Sequence, residues 1–281
     1  MLNQFKIKSQ KAISNITLLK SLLLTVLLVS FSSCEENDDG PKGTTWQLLW
    51  SDEFNETGTL NDANWTYDLG AGGWGNNELQ EYTNIADNVI SEDGVLKIIA
   101  QKIPMNGYDA FTSARVKTLG LFSETYGRFE ARIKTPSGAG IWPAFWLLGD
   151  SVETIGWPQC GEIDIMELVG QRPNIISGTI HGPGNFGTGG IGKTFGYAND
   201  RFDGGFHLFA IEWGVDYLDF YVDDNLYQRI TPGDVEEWVF NEPFHIILNV
   251  AVGGNLVGFP TSSTPFPQTM EVDYVRVYKE L

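Results

Sequence analysis

The sequence predicts an all-β domain, a β-sandwich of two antiparallel sheets. Three observations carry this expectation. Short segments alternate strictly between apolar and polar residues, clusters of Gly and Asn punctuate them, and no long helix-period segment occurs after residue 45. Residues 46–281 show no internal repeat and no second linker, so they read as one domain, long enough for a sizeable core.

The elements follow in chain order. Arg128-Phe129-Glu130-Ala131-Arg132-Ile133-Lys134 alternates, with Phe129, Ala131 and Ile133 expected on the buried face. Tyr217 to Val222 alternates too. Asp223-Asp224-Asn225 then supplies turn chemistry before Leu226-Tyr227-Gln228-Arg229-Ile230, which predicts a hairpin. Phe244 to Val252 and Met270 to Tyr278 are further strands. Stacked sheets of this kind can curve to leave a long cleft on one face, a shape that suits a polymer.

One strand carries chemistry. Glu162-Ile163-Asp164-Ile165-Met166-Glu167-Leu168 puts Glu162 and Asp164 on one face and Ile163 and Ile165 on the other. Unbroken alternation would turn Glu167 toward the apolar face. A β-bulge near Met166 returns Glu167 to the face of Glu162 and sends Leu168 to the core. Two carboxyl groups about 5–5.5 Å apart are what a retaining glycosidase needs, and a bulged five-residue step with leaning side chains can reach that. Asp164, between them, can help separate their pKa values. On spacing alone, a charged solvent-facing strand or a calcium site would use the same three acids.

The start of the chain reads as a targeting segment. Lys6, Lys8, Lys11 and Lys20 precede or enter an apolar run from Ser21 to Phe31 that is short for a membrane span. Phe31-Ser32-Ser33-Cys34 resembles the cleavage box of bacterial lipoproteins, with Phe31 where Leu is usual. Residues 1–33 are therefore expected to be a lipoprotein signal peptide and Cys34 the lipidated first residue. Residues 34–45, with Glu35, Glu36, Asp38 and Asp39, read as an acidic tether. The expected location is the cell envelope, on the outer membrane and surface-exposed, with the lipid as the membrane contact.

The whole chain has 18 basic and 36 acidic residues, a net charge of −18; losing the four lysines of the leader leaves 14 against 36, or −22. Such a chain repels nucleic acid and sulfated polymers and tolerates neutral ones. Cys34 and Cys160 are the two cysteines, so no disulfide framework is expected. Cys160 reads as a small buried packing residue rather than a nucleophile. The three His show no zinc spacing.

Several motifs stand in a telling order. They are Leu49-Trp50-Ser51-Asp52-Glu53-Phe54, Trp74-Gly75-Asn76-Asn77-Glu78-Leu79-Gln80-Glu81-Tyr82-Thr83, Gly140-Ile141-Trp142-Pro143-Ala144-Phe145-Trp146 and the Gly161–Glu167 segment. His181, Glu212-Trp213, Asn249 to Asn255 and Asp273 to Tyr278 follow. Together, over roughly residues 46–281, they resemble glycoside hydrolase family 16, specifically its laminarinase-like endo-β-1,3-glucanases.

The resemblance implies a concanavalin A-like jelly roll with two curved antiparallel sheets and an open substrate cleft. It implies retaining endo-hydrolysis of β-1,3-glucan, with Glu162 as nucleophile, Glu167 as general acid/base and Asp164 as their assistant. The inserted Met166 matches the laminarinase form; mixed-linkage lichenases resemble E-I-D-I-E without it. Glu81 departs from the family, where laminarinases often have an aromatic. Substrate contacts are implied for Trp142, Trp146, Asn76, Glu78 and Arg115, with His181 a hydrogen-bond donor beside the acid/base. Core packing would equally use the tryptophans, and turn polarity Asn76 and Glu78. No cofactor is expected for the chemistry. A structural calcium is implied at Asp273, with backbone oxygens near Glu53 and Gly94. A monomer is expected. Mixed-linkage glucan, agar or carrageenan as substrate, transglycosylation, or a non-catalytic glycan-binding role on the same fold are the competing readings.

Overall fold

The computed structural model describes residues 46–105 and 108–281; the side chains of Met105 and Tyr108 are excluded. The targeting segment, the acidic tether and Cys34 lie outside the described residues. Helix among the described residues is confined to Val152–Ile155 and two single 3₁₀ turns. Everything else that is regular is strand, as the alternation requires.

Two sheets stack face to face. The first sheet, which carries the expected catalytic strand Glu162–Leu168, has seven strands in the order Ile191–Gly196, Ile175–His181, Glu162–Leu168, Ile141–Gly149, Phe244–Val252, Arg115–Lys117, Thr66–Asp68. The second sheet has ten strands, with Gly127–Lys134 between His207–Gly214 and Gln268–Glu280 near its middle. Pairing is antiparallel except for Gln80–Tyr82 beside Tyr108–Ser113, which run parallel. That exception departs from the expected all-antiparallel sheets. The chain leaves Tyr82, forms Val89–Glu92 and Val95–Met105, and only then returns, a connection long enough for a parallel crossover.

The core lies between the sheets. Phe129, Ala131 and Ile133 point into it from one side, and Phe145, Leu147, Ile163, Leu168, Ile246, Leu248, Val250 and Val252 from the other, all fully buried. Each large apolar side chain so buried contributes about 1.5–3 kcal/mol. Arg128 and Glu130, on the opposite face of their strand, are buried as well. They pair at 2.8 Å, and Arg128 also takes Glu212 at 3.0 Å, so neither charge is stranded.

The hairpin forms where the sequence puts it, with Tyr217–Val222 and Asn225–Ile230 joined by Asp223 and Asp224. Their φ angles of 46° and 62° are those of a type I′ turn. The Asp223 carboxylate accepts from Leu208 N, Tyr197 Oη and His207 Nδ1, each at 2.7 Å. Burial raises the Asp223 pKa, but these hydrogen bonds outweigh it and leave the pKa lowered; its hydrogen bond raises that of His207. A lowered carboxylate pKa stabilises the fold above its unfolded value and is lost in acid. A raised His pKa stabilises below its unfolded value and is lost as pH rises through the folded one. The Tm difference between wild type and Asp223→Asn should therefore peak at about pH 5–6 and shrink on either side. A difference that stays flat from pH 4 to 9 would show that the pair carries no linkage.

Candidate active site

The strand Glu162–Leu168 bulges where parity demands. Toward Ile141–Gly149, Asp164 faces Trp146 while Met166 faces Phe145, so one residue is extra; toward Ile175–His181, Asp164 faces Thr179 and Glu167 faces Ser177. The doubled residues Ile165 and Met166 both enter the core, at 1% and 0% exposure. Glu162, Asp164 and Glu167 thereby share the outer face. Directly across from Glu167 is Ala144, whose small side chain leaves room above the carboxylate.

The acids are held from both flanks. His181 stands opposite Glu162 in register, and its Nε2 lies 3.2 Å from Asp164 Oδ2 and 3.7 Å from Glu162 Oε1. His181 thus stands closest to Asp164 and Glu162, where register puts it, and it also lowers the pKa of Glu167, the expected acid/base. Trp142 Nε1 donates to Glu167 Oε1 at 3.0 Å. Burial raises the pKa of all three carboxyls. For Glu162 the Asp164 charge adds to burial, and His181 opposes both. Glu162 and Glu167 are both pushed up to about 8, Glu167 by burial and then by Asp164, against the Trp142 hydrogen bond, so their roles rest on the family resemblance and not on the shifts. A carboxyl kept protonated near neutral pH can give a proton to a leaving group; an ionised one beside it can attack carbon. Glu162, Asp164 and His181 also bring ligand atoms within 4.8 Å of one another. Two carboxylates and an imidazole do not make the six to eight oxygens that calcium takes.

A second polar surface lies across Trp142 and Trp146. Trp146 Nε1 donates to Asn249 Oδ1 at 2.8 Å, and Asn249 Nδ2 donates to Tyr82 Oη at 3.1 Å. Glu78 accepts from Gln80 at 2.6 Å, Asn76 at 3.3 Å and Tyr82 at 3.4 Å, and burial raises its pKa. The Arg115 guanidinium sits 4.6 Å from the Trp146 ring centroid and 5.2 Å from that of Trp74, with its Nε 2.8 Å from Asp68. Gly254, at φ 123°, lies against Trp142: a Cβ there would come within 3.2 Å of the indole. Trp142, Trp146 and His181 thus stand beside the acids, and Asn76 and Glu78 join them only through Tyr82, Asn249 and Trp146. Trp74, Tyr82 and Asn249 belong to the quoted motifs but were not singled out. Asp68 lies in none of them, and only the pairing of Thr66–Asp68 with Arg115–Lys117 reveals it.

Cys160 is buried and unpaired, and burial pushes its thiol up to about 11, so it is a packing residue and no nucleophile. The expected calcium residues converge elsewhere. The ladder of Gln268–Glu280 against Gly127–Lys134 breaks between Val272 and Tyr274, at Asp273. Asp52, just before Glu53, faces Val275, and Leu96, just after Gly94 and Val95, faces Val272. The three backbones meet at one bulge. The Asp273 carboxylate takes Arg132 at 2.6 Å, and both Glu53 oxygens take Arg276 at 2.9 Å. Glu53 could therefore offer a cation its carbonyl, not its side chain. The three donors are all oxygen, as calcium prefers, but they are fewer than the six to eight it takes, so water would have to supply the rest.

Comparison with known proteins bears on the whole arrangement. The family model for glycosyl hydrolases family 16 matches residues 76–276. A beta-glucanase of Rhodothermus marinus is 42% identical over 92% of this chain and 93% of its own length. A glucan endo-1,3-beta-glucosidase of Cryptopygus antarcticus is 40% identical over 82% of this chain and 91% of its own. The solved endo-beta-1,3-glucanase of Pyrococcus furiosus superposes with a TM-score of 0.80 at 44% identity, covering 85% of this chain and 97% of that one. The jelly-roll sandwich, the bulged carboxylate strand and these likenesses agree: the chain belongs to glycosyl hydrolases family 16.

Proposed function

We propose that this glycoside hydrolase cleaves β-1,3-glucan of the laminarin type internally, with retention of configuration. The single observation that carries the reading is the Ile165–Met166 bulge, which puts Glu162, Asp164 and Glu167 on one outer face beside Trp142 and Trp146. In the first step Glu162 attacks the anomeric carbon and forms an ester as the glycosidic C–O bond breaks; Glu167 gives its proton to the departing oxygen. In the second step Glu167 takes a proton from water, the water oxygen attacks the same carbon, and the Glu162 carboxylate leaves. Asp164 keeps its neighbours' pKa values high, and His181 opposes it at both glutamates. The excess of acidic residues favours a neutral polymer over a sulfated one.

Reducing-sugar release should be greatest on laminarin, weaker on lichenan and absent on agar and carrageenan. Activity on a galactan alone would sink the glucan reading, and glucan binding without turnover would favour a lectin-like role. Glu162→Ala should lose about 10⁴-fold in kcat or more. Added azide should then give the α-glycosyl azide with Glu162→Ala and the β-azide with Glu167→Ala; the reverse pattern would exchange the two roles.

The pH profile should follow the named neighbours. Activity needs Glu162 ionised and Glu167 protonated, so the acid limb reports the first and the alkaline limb the second. Asp164→Asn removes a charge that raises both pKa values, so both limbs should move to lower pH. Trp142→Phe removes a donor that favours ionised Glu167, so the alkaline limb should move up. Limbs that stay in place in both variants would contradict the electrostatic account.

The calcium and the lipid are parts of the same proposal. An ion held by Asp273 and the carbonyls of Glu53 and Gly94 would tie three strands of the second sheet together, far in sequence from the acids. Chelation with EGTA should then lower Tm by about 5–10 °C, reversed by calcium, while kcat at low temperature stays unchanged. An indifferent Tm would remove the ion. Lipidation of Cys34 would hold the enzyme on the outer membrane facing the polymer. A palmitate analogue should label the wild type and not Cys34→Ala; label persisting in the variant would refute it.

A further inference from the structure

The cleft face of the catalytic sheet is lopsided. One flank carries Trp142, Trp146, Arg115 and Asn249, rings and hydrogen-bonding groups together. On the other flank, Asp164 and Glu167 face Thr179 and Ser177, and beyond these come Gly192 and Thr194. The only ring on that floor is the imidazole of His181, opposite Glu162. Further rings arrive from two loops. Trp157 and Phe186 meet edge to face with centroids 5.6 Å apart, and Trp157 lies 6.1 Å from His181, the partner of Asp164.

Both rings are open to solvent, at 44% and 49% exposure. Two large aromatics side by side in water mark a contact surface more readily than a packing one. They are also held in place. The Trp157 loop is closed by Cys160 N to Gly156 O at 2.9 Å and Gly161 N to Pro158 O at 3.1 Å. The Phe186 loop is closed by paired bonds between Gly182 and Asn185 at 2.9 and 3.0 Å, and Asn185 Oδ1 accepts from Glu236 N at 2.9 Å. Rings fixed before binding lose little entropy when a ligand arrives.

We propose that Trp157 and Phe186 form the stacking platform for the leaving half of the polysaccharide, the glucosyl units released in the first chemical step. This rests on the glucanase reading. An enzyme that cuts inside a chain must hold sugars on both sides of the bond. The half that forms the covalent intermediate is distorted and needs many directional contacts, which the Trp142 flank supplies. The half that departs needs a surface that binds its apolar C–H faces and lets go, which two exposed rings provide.

The test compares laminarin with β-laminaribiosyl fluoride, whose leaving group is a single atom and fills no leaving-side subsite. For Trp157→Ala and for Phe186→Ala, kcat/KM on laminarin should fall about 2- to 10-fold. On the fluoride it should stay within about twofold, and Trp157→Tyr should recover most of the loss on laminarin. Unchanged laminarin turnover in both alanine variants overturns the proposal. So does a parallel fall on both substrates, which would put the rings on the glycone side or make them mere support for the catalytic strand. A wild type that turns over neither substrate refutes the glucanase reading and this inference with it.

Discussion

Side chains on a strand alternate between two faces, and seven residues from Glu162 to Leu168 must send four apolar groups inward and three carboxyls outward. Regular alternation cannot do both. The doubled step at Ile165 and Met166 resolves the conflict, and much of the molecule depends on it. Without it, either Glu167 would enter the core between the sheets or Leu168 would leave it. Both are costly, the first because a buried carboxyl there has no partner. The core is thus what enforces the bulge, and the bulge is what assembles the acids.

The assembled acids are an expense to the fold. Burial raises the pKa of all three carboxyls, and the Asp164 charge raises those of both glutamates further. The surroundings temper this with directed contacts rather than with a countercharge in the middle. Trp142 donates to Glu167, and His181 reaches Asp164 and Glu162. Arg115, the nearest fixed positive charge in the cleft, is spent on Asp68 and stacked between Trp74 and Trp146. It supports the wall of the cleft without neutralising the carboxyls outright. The result is a Glu167 that holds its proton near neutral pH, as work on a glycosidic oxygen requires, beside a Glu162 that must give its proton up before it can attack.

The second sheet serves this arrangement from behind. Phe129, Ala131 and Ile133 belong to the same core as the inward side chains of the catalytic strand, and Gln268–Glu280 braces the strand that carries them. The bulge at Asp273 and its arginine partners lie in that sheet, outside the row of acids. Its contribution is rigidity, and rigidity keeps two carboxyls at a separation that tolerates little error.

The all-β class, the hairpin at Asp223-Asp224 and the need for a bulge near Met166 were legible in the residue order. Each follows from a period-two pattern or a turn pair among adjacent residues, and local sterics read that pattern directly. The carboxylate pair was legible for the same reason. What the tertiary structure alone decided is which distant residues meet. His181 attends Glu162 because the two strands pair in that register, not because of its place in the chain. Asp68 meets Arg115, Trp157 meets Phe186, and Arg128 and Glu130 lie buried on what alternation marks as an outer face. Alternation says which face a side chain takes. It does not say which strand lies alongside, in what direction or how far slid, and those choices come from packing the whole core at once.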